Sequence, residues 1–318
     1  MPRRATAWQR LRGGLGGALL AAFACAAAAA VPPLAVAQVA PGVYVHQGLL
    51  EDWLPGNGGD VANLGFVVGS RCVAVIDTGG TPAVGEALRA AVARTTPLPV
   101  CYVINTHAHP DHVLGNVAFT GGDNPPRFVA SAKLGAALAA RAPYYRNALK
   151  RDFALDLPPE AVVFPTLPVD QTLELDLGGR VLQLAAWPTA HTDHDLTVYD
   201  RQTRTLFLSD LLFVQHMPAL DGSLRGWLAV LKQIAALDVA VAVPGHGPVS
   251  TQWPAVLADE QRYLATLLSQ TRAAIQQGLT IQQAVDRVGA DVEAQRWLLA
   301  DRFHRRNVTA AYAELEWE

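Results

Sequence analysis

Cysteine is scarce. There are three in 318 residues, and only Cys72 and Cys101 lie outside the N-terminal leader, so no disulfide framework is encoded. Basic clusters are missing too. Removing the leader takes the formal net charge from −3 to −7. An acidic chain without a Lys/Arg cluster is a poor partner for nucleic acid or an anionic membrane surface. Past the leader there is no low-complexity linker, no short-period repeat and no apolar run long enough to span a bilayer. What is left, Gln38 to Glu318, is enough for one large domain with a substantial core.

The leader is residues 1–37. Arg3, Arg4, Arg10 and Arg12 form a positive segment, Leu15 to Val31 is apolar, and Ala35-Val36-Ala37 is an A-x-A cleavage site before Gln38. This pattern is a secretory signal peptide cleaved after Ala37. Pro32 and Pro33 interrupt the apolar run, which argues against a retained anchor. Arg3-Arg4 is a weak twin-arginine signal, and Cys25 lacks the preceding Leu of a lipidation site. Export places the mature chain in a bacterial periplasm, an oxidising compartment. Cys72 and Cys101 begin two apolar runs expected to be neighbouring strands. A bridge between them is open, but its geometry is demanding, and two buried thiols is the preferred expectation.

Strand and helix signals alternate, which predicts a layered α/β domain. Val43–His46, Leu64–Val68 and Cys72–Ile76 read as strands, with a Gly/Asn/Pro-rich loop from Leu50 to Val61. Pro82 to Arg94 has helical spacing, with Val84, Leu88 and Val92 on one face. Val100–Ile104 and Phe128–Ala130 are further strands, and Ser131 to Lys150 is a helix interrupted at Pro143. Hairpins are expected over 169–187, turning at Gly178-Gly179, and over 196–209. Ser223 to Leu237 is an amphipathic helix, and Val239–Val243 a strand running into Pro244-Gly245-His246-Gly247. From Pro254 the chain reads as helical, roughly 254–277, 280–289 and 292–316.

The chemistry concentrates after the strand Val100–Ile104, in His107-Ala108-His109-Pro110-Asp111-His112. Two imidazoles one residue apart can share an ion, and the Asp-His pair that follows can turn to a second. Three more residues stand at strand ends: His191, Asp210 and His246. Alone, each fits a turn or a hydrogen bond. Together they are four successive strand ends delivering metal-binding side chains, and open α/β sheets gather sites along one edge. The count makes chemical sense. His107, His109 and His191 supply nitrogens for one ion, Asp111, His112 and His246 serve another, and Asp210 can bridge both. Imidazole with carboxylate suits two Zn2+ ions best, and iron or manganese fit the same set.

These residues, in this order and with Val75-Ile76-Asp77-Thr78-Gly79 upstream, resemble the metallo-β-lactamase fold superfamily over residues 40–250. The resemblance implies an α/β fold, an αββα sandwich with the metals at one edge, spanning 38–250. A C-terminal helical extension, 251–318, is expected to pack on it. Asp77 would then stand behind a metal ligand. The stretches Ala190–Leu196, Pro218–Leu228 and Asn307 to Glu316 are similar to the exported branch of quinoprotein relay system zinc metallohydrolases, related to metallohydrolases of sulfur-oxidation operons. That likeness implies a periplasmic quinoprotein dehydrogenase system as partner, besides a small-molecule substrate. Many relatives carry Gly at the position of His194, which stands three residues past a ligand and either supports the ligands from behind, donates into the pocket or is solvated; one of the last two is the preferred expectation.

The expected activity is hydrolysis by a metal-bridging hydroxide of an ester, thioester, lactone or amide-type bond, with Asp111 and Asp210 as catalytic carboxylates. No Ser or Cys nucleophile is needed. Trp53, Tyr144, Tyr145 and His216 are the expected pocket residues, while His46 and His304 lie near no motif. Three rivals stand: a β-lactamase, a mononuclear iron sulfur dioxygenase sharing His107, His109, His191 and Asp210, and a non-catalytic periplasmic protein binding a quinone cofactor or a dehydrogenase.

Overall fold

The computed structural model describes residues 32–318; the leader, apart from its last few residues, lies outside them. One sheet has seven strands in sequence order: β1 (Ala37–Ala40), β2 (Val43–His46), β3 (Leu64–Val68), β4 (Val73–Ile76), β5 (Val100–Ile104), β6 (Arg127–Ser131) and β7 (Leu167–Val169). The other runs β12-β11-β10-β9-β8, with β8 (Thr172–Asp176), β9 (Val181–Ala186), β10 (Leu196–Asp200), β11 (Thr205–Phe213) and β12 (Val241–His246). Both sheets are mixed. Strands β4 to β7 pair parallel, as do β11 and β12, and the remaining pairs are antiparallel.

Period-two patterning explains the layers. In β4, Ala74 and Ile76 point into the space between the sheets, where they join Val67, Ile104, Leu182, Leu184, Val198, Phe207 and Val243. Val73 and Val75 point the other way, onto Val84, Leu88 and Val92 of helix α1 (Pro82–Thr95). Thr81 caps that helix by accepting from Val84 N, and Pro82 opens it. The second sheet buries its outer face under α4 (Leu224–Ile234), through Leu224, Trp227 and Leu231, and under the C-terminal helices α5 (Ala258–Gln276), α6 (Ile281–Val288) and α7 (Ala300–Leu315). The expected αββα sandwich is therefore present, and the extension docks on its second sheet. The short helix α2 (Pro110–Val113) and the long α3 (Leu134–Asp152) complete the set.

Three expectations need correction. Cys72 and Cys101 are bonded to each other, with Cα atoms 5.8 Å apart, rather than free buried thiols. The β4–β5 register shifts between Val73 and Ala74, inserting Cys101 as an extra residue that can turn toward Cys72. Helix α3 does not break at Pro143. Leu134 and Leu138 before the proline and Tyr145 and Leu149 after it pack into one cluster, and this burial outweighs one lost backbone bond. The last helix does not start at 292. Leu298 N donates to Gln215 O and Leu298 O accepts from Met217 N, so Trp297–Leu299 runs as a bridge beside the chain after β11, and α7 begins only at Ala300.

Candidate metal centre

The loop after β5 with helix α2, the turn after β9, the end of β12 and the part of β11 just past the irregularity at Ser209 carry the seven ligand candidates to one edge of the sandwich. The side-chain donors of His107, His109, His191 and Asp210 lie within 4.8 Å of one another, and so do those of Asp111, His112 and His246. Asp210 stands between the groups. Its Oδ2 is 3.5 Å from His107 Nε2 and 3.4 Å from His191 Nε2. Its Oδ1 is 3.2 Å from His112 Nε2 and 3.5 Å from His246 Nε2. Asp111 Oδ2 approaches His246 Nε2 at 3.3 Å and His112 Nε2 at 3.5 Å. On the first side His109 turns its Nδ1 inward, 3.1 Å from His191 Nε2. Gly245 is required here, since a Cβ at that position would collide with Asp210 Oδ1.

The donor set fits divalent cations. His107 Nε2, His112 Nε2 and Asp210 Oδ1 are buried without a hydrogen-bond partner, although they face one another. Buried polar atoms rarely stay unpaired, and three gathered around the Asp210 carboxylate fit cations held there. Electrostatics agree. Burial, with neighbouring imidazoles, holds His107 well below the usual histidine value, and burial takes His191 down to about 3, so both present neutral lone pairs. On the other side burial opposes charge on His246, but Asp210 and Asp111 outweigh it and raise it to about 9. The carboxylates thus create a field that collects positive charge.

The histidine ring nitrogens facing away from the centre all have partners. His112 Nδ1 donates to Asp77 Oδ2 at 2.8 Å, which places Asp77 behind His112. Asp77 also accepts from Thr106 N and Oγ1 at 2.9 and 2.7 Å, tying the start of the ligand loop to the end of β4. His191 Nδ1 donates to Ala219 O at 2.6 Å and His246 Nδ1 to Val61 O at 3.0 Å. His109 Nε2 lies 3.1 Å from Asp221 Oδ2, and Arg141 Nη2 donates to the same oxygen at 2.8 Å. Such partners fix ring orientation and tautomer.

For His194 the less preferred alternative holds, a place behind the ligands. It is fully buried, and its Nε2 accepts from Ala108 N at 3.0 Å while Nδ1 faces Asp193 Oδ1 at 2.6 Å. It braces the H-x-H turn from beneath and is neither a pocket donor nor solvated. Tyr144 is 66 % exposed, whereas Tyr145 is buried near Arg141, Asp111 and Asp221. Because α3 is continuous, helical phase selects Tyr145 for the site. Trp53 uses its indole N–H on Gly80 O and its ring on Phe153, so it anchors the Gly-rich loop. His216 is buried against the rings of His246, Phe213 and Phe303. His46 and His304 serve structural bonds, to Ala35 O and Asp60, and to Val288 O and Tyr263. Sequence reasoning missed Asp221, Arg141 and the two backbone acceptors. Asp221 lay inside a quoted stretch, but nothing in its spacing tied it to His109.

Comparison with known proteins agrees with this geometry. The profile described as the metallo-beta-lactamase superfamily matches residues 57–246. No curated protein matches the sequence. Among solved structures, a metallo-beta-lactamase from Pontibacter korlensis is similar, with TM-score 0.59 at 20% identity over 73% of this chain and 99% of that one. A double mutant of the sec-alkyl sulfatase PisA1 gives TM-score 0.65 at 16% identity, covering 90% of this chain but 51% of the sulfatase. TMB-1 gives 0.55 at 18% identity, over 74% and 98%. At such identities these likenesses concern the fold. The chain belongs to the metallo-β-lactamase superfamily, and its His/Asp clusters stand where that fold opens.

Proposed function

We propose that the chain is a periplasmic dinuclear zinc hydrolase acting on an ester, thioester, lactone or amide-type carbonyl. The observation that carries this reading is Asp210, whose two oxygens each face a separate pair of histidines. Zinc, when bound, would supply Lewis acidity that ionises a water near neutral pH and polarises the substrate carbonyl. The remaining work belongs to the chain. His107, His109 and His191 hold one side, Asp111, His112 and His246 the other, and Asp210 keeps them in register. Asp111, held at a pKa of about 2 by His112 and His246 against the effect of burial, is ionised and can accept a hydrogen bond that orients the attacking water. Arg141 and Tyr145 border the site and can orient a substrate. Ser209 does not compete as nucleophile, because its hydroxyl is buried between Thr106 and Asp77.

The second cluster is as well assembled as the first, which supports two metals over a mononuclear iron dioxygenase. The leader and the Cys72–Cys101 bridge support an oxidising compartment. The likeness of Ala190–Leu196, Pro218–Leu228 and Asn307–Glu316 to the quinoprotein relay branch supports service to a periplasmic quinoprotein dehydrogenase.

The test is a screen of the zinc-loaded chain across thioesters, lactones, β-lactams and secondary alkyl sulfates. We expect turnover of a carbonyl substrate, lost together with metal in a His109→Ala/Asp210→Ala variant. Turnover that survives in the metal-depleted variant contradicts the mechanism. No turnover, with tight binding to a dehydrogenase, favours a non-catalytic partner protein.

A further inference from the structure

Helix α7 reaches the metal centre through one buried side chain. Asn307 is 1% exposed. Its Oδ1 accepts from Leu220 N at 2.9 Å, and its Nδ2 donates to Pro218 O at 2.6 Å. These two groups flank Ala219, and Ala219 O is the acceptor for His191 Nδ1 at 2.6 Å. An asparagine amide is the side chain suited to this position, since it can accept from one peptide and donate to another at once. Tyr263 supports it, its hydroxyl accepting from Asn307 Nδ2 at 2.8 Å and facing His304 Nδ1 at 3.1 Å.

We infer that Asn307 is a positioning residue of the metal centre. It fixes the Ala219 carbonyl, and the carbonyl fixes the ring plane and tautomer of His191. The C-terminal extension thereby completes the site holding His107, His109 and His191, in addition to packing against the second sheet. The contrast lies on the same helix. Glu314 accepts from Ser223 Oγ and Leu224 N at 2.8 and 2.6 Å, so it holds α7 against the start of α4 without touching the peptides around Ala219. Loss of Glu314 should loosen docking. Loss of Asn307 should loosen a ligand.

The inference rests on the proposed metal centre, and the test separates the two. The full-length chain is loaded with Co2+, its absorption followed, and each equivalent withdrawn by chelator competition. We expect two equivalents in the unsubstituted chain. Asn307→Leu should weaken one of them by roughly 10-fold, the lower end for groups that support ligands, and alter the band of the three-histidine site while the other equivalent holds. Asn307→Asp, which keeps the acceptor for Leu220 N, should fall between and covers failure of the leucine variant to fold. Glu314→Ala should lower the melting temperature and leave both equivalents unchanged. If the unsubstituted chain takes up no Co2+, the metal centre itself is wrong. If it binds two and the Asn307 variants bind them equally well, or Glu314→Ala weakens the same equivalent as much, the positioning role alone is overturned.

Discussion

The two halves of the metal centre are supported in different ways. Of the ligands on the H-x-H-x-D-H loop, His112 and His109 lean on carboxylate side chains, Asp77 and Asp221. The two histidines from the second half of the chain, His191 and His246, lean on backbone carbonyls, Ala219 and Val61. A carboxylate raises ligand basicity and can be deleted by one substitution. A carbonyl moves only when the chain around it moves. The first half is therefore open to point mutation, while the second depends on the segments that carry its acceptors.

Asp210 faces histidines from both parts of the chain, His107 and His112 as well as His191 and His246, so its loss should have the largest effect. Asp210→Ala is expected to lower metal affinity and any hydrolysis by more than about 100-fold, beyond the range for supporting groups, as read by chelator competition and by rate. Asp77→Ala should come next. It strips His112 of its partner and unties Thr106 from β4, and a loss of roughly 10- to 100-fold in affinity is expected, confined to the Asp111–His112–His246 side. Asp221→Ala should cost less, about 10-fold or below, because Asp221 is 46% exposed and water can replace it at His109 Nε2. An Asp221 effect equal to that of Asp77 would erase the distinction between a buried and a rim carboxylate.

The smallest effect is one of pH. Burial, with the neighbouring His246, lowers His216 to about 4, so the folded chain favours its neutral form. Between the unfolded value near 6.5 and about 4 the unfolded chain binds the extra proton. His216 thus weakens the fold as pH falls through this window and costs nothing above it. Urea unfolding of metal-free His216→Phe should show a shallower loss of stability over that range than the unsubstituted chain, and identical slopes would contradict the assignment.

The contrast between the halves also marks where sequence reasoning ends. His107 to His112 are legible because they are contiguous, and His191, Asp210 and His246 because each follows an apolar run, although only His246 ends its strand and Asp210 lies inside β11. Asp77 is legible through the family pattern. Ala219 and Val61 are not, since a carbonyl acceptor has no residue type. The placement of Tyr145 over Tyr144 depends on α3 continuing through Pro143, which tertiary packing decided. The Trp297–Leu299 bridge was hidden because a helical hydrophobic pattern says nothing about backbone pairing with Gln215 and Met217. The bridge between Cys72 and Cys101 turned on a single register shift.

The central claim is a shared carboxylate between two cations. Elemental analysis of the purified full-length chain, beside Asp210→Ala and His246→Ala, tests it most directly. The account predicts close to two zinc ions per chain, about one in His246→Ala, and less than about one in Asp210→Ala. A single iron per chain, unchanged by His246→Ala, would contradict it.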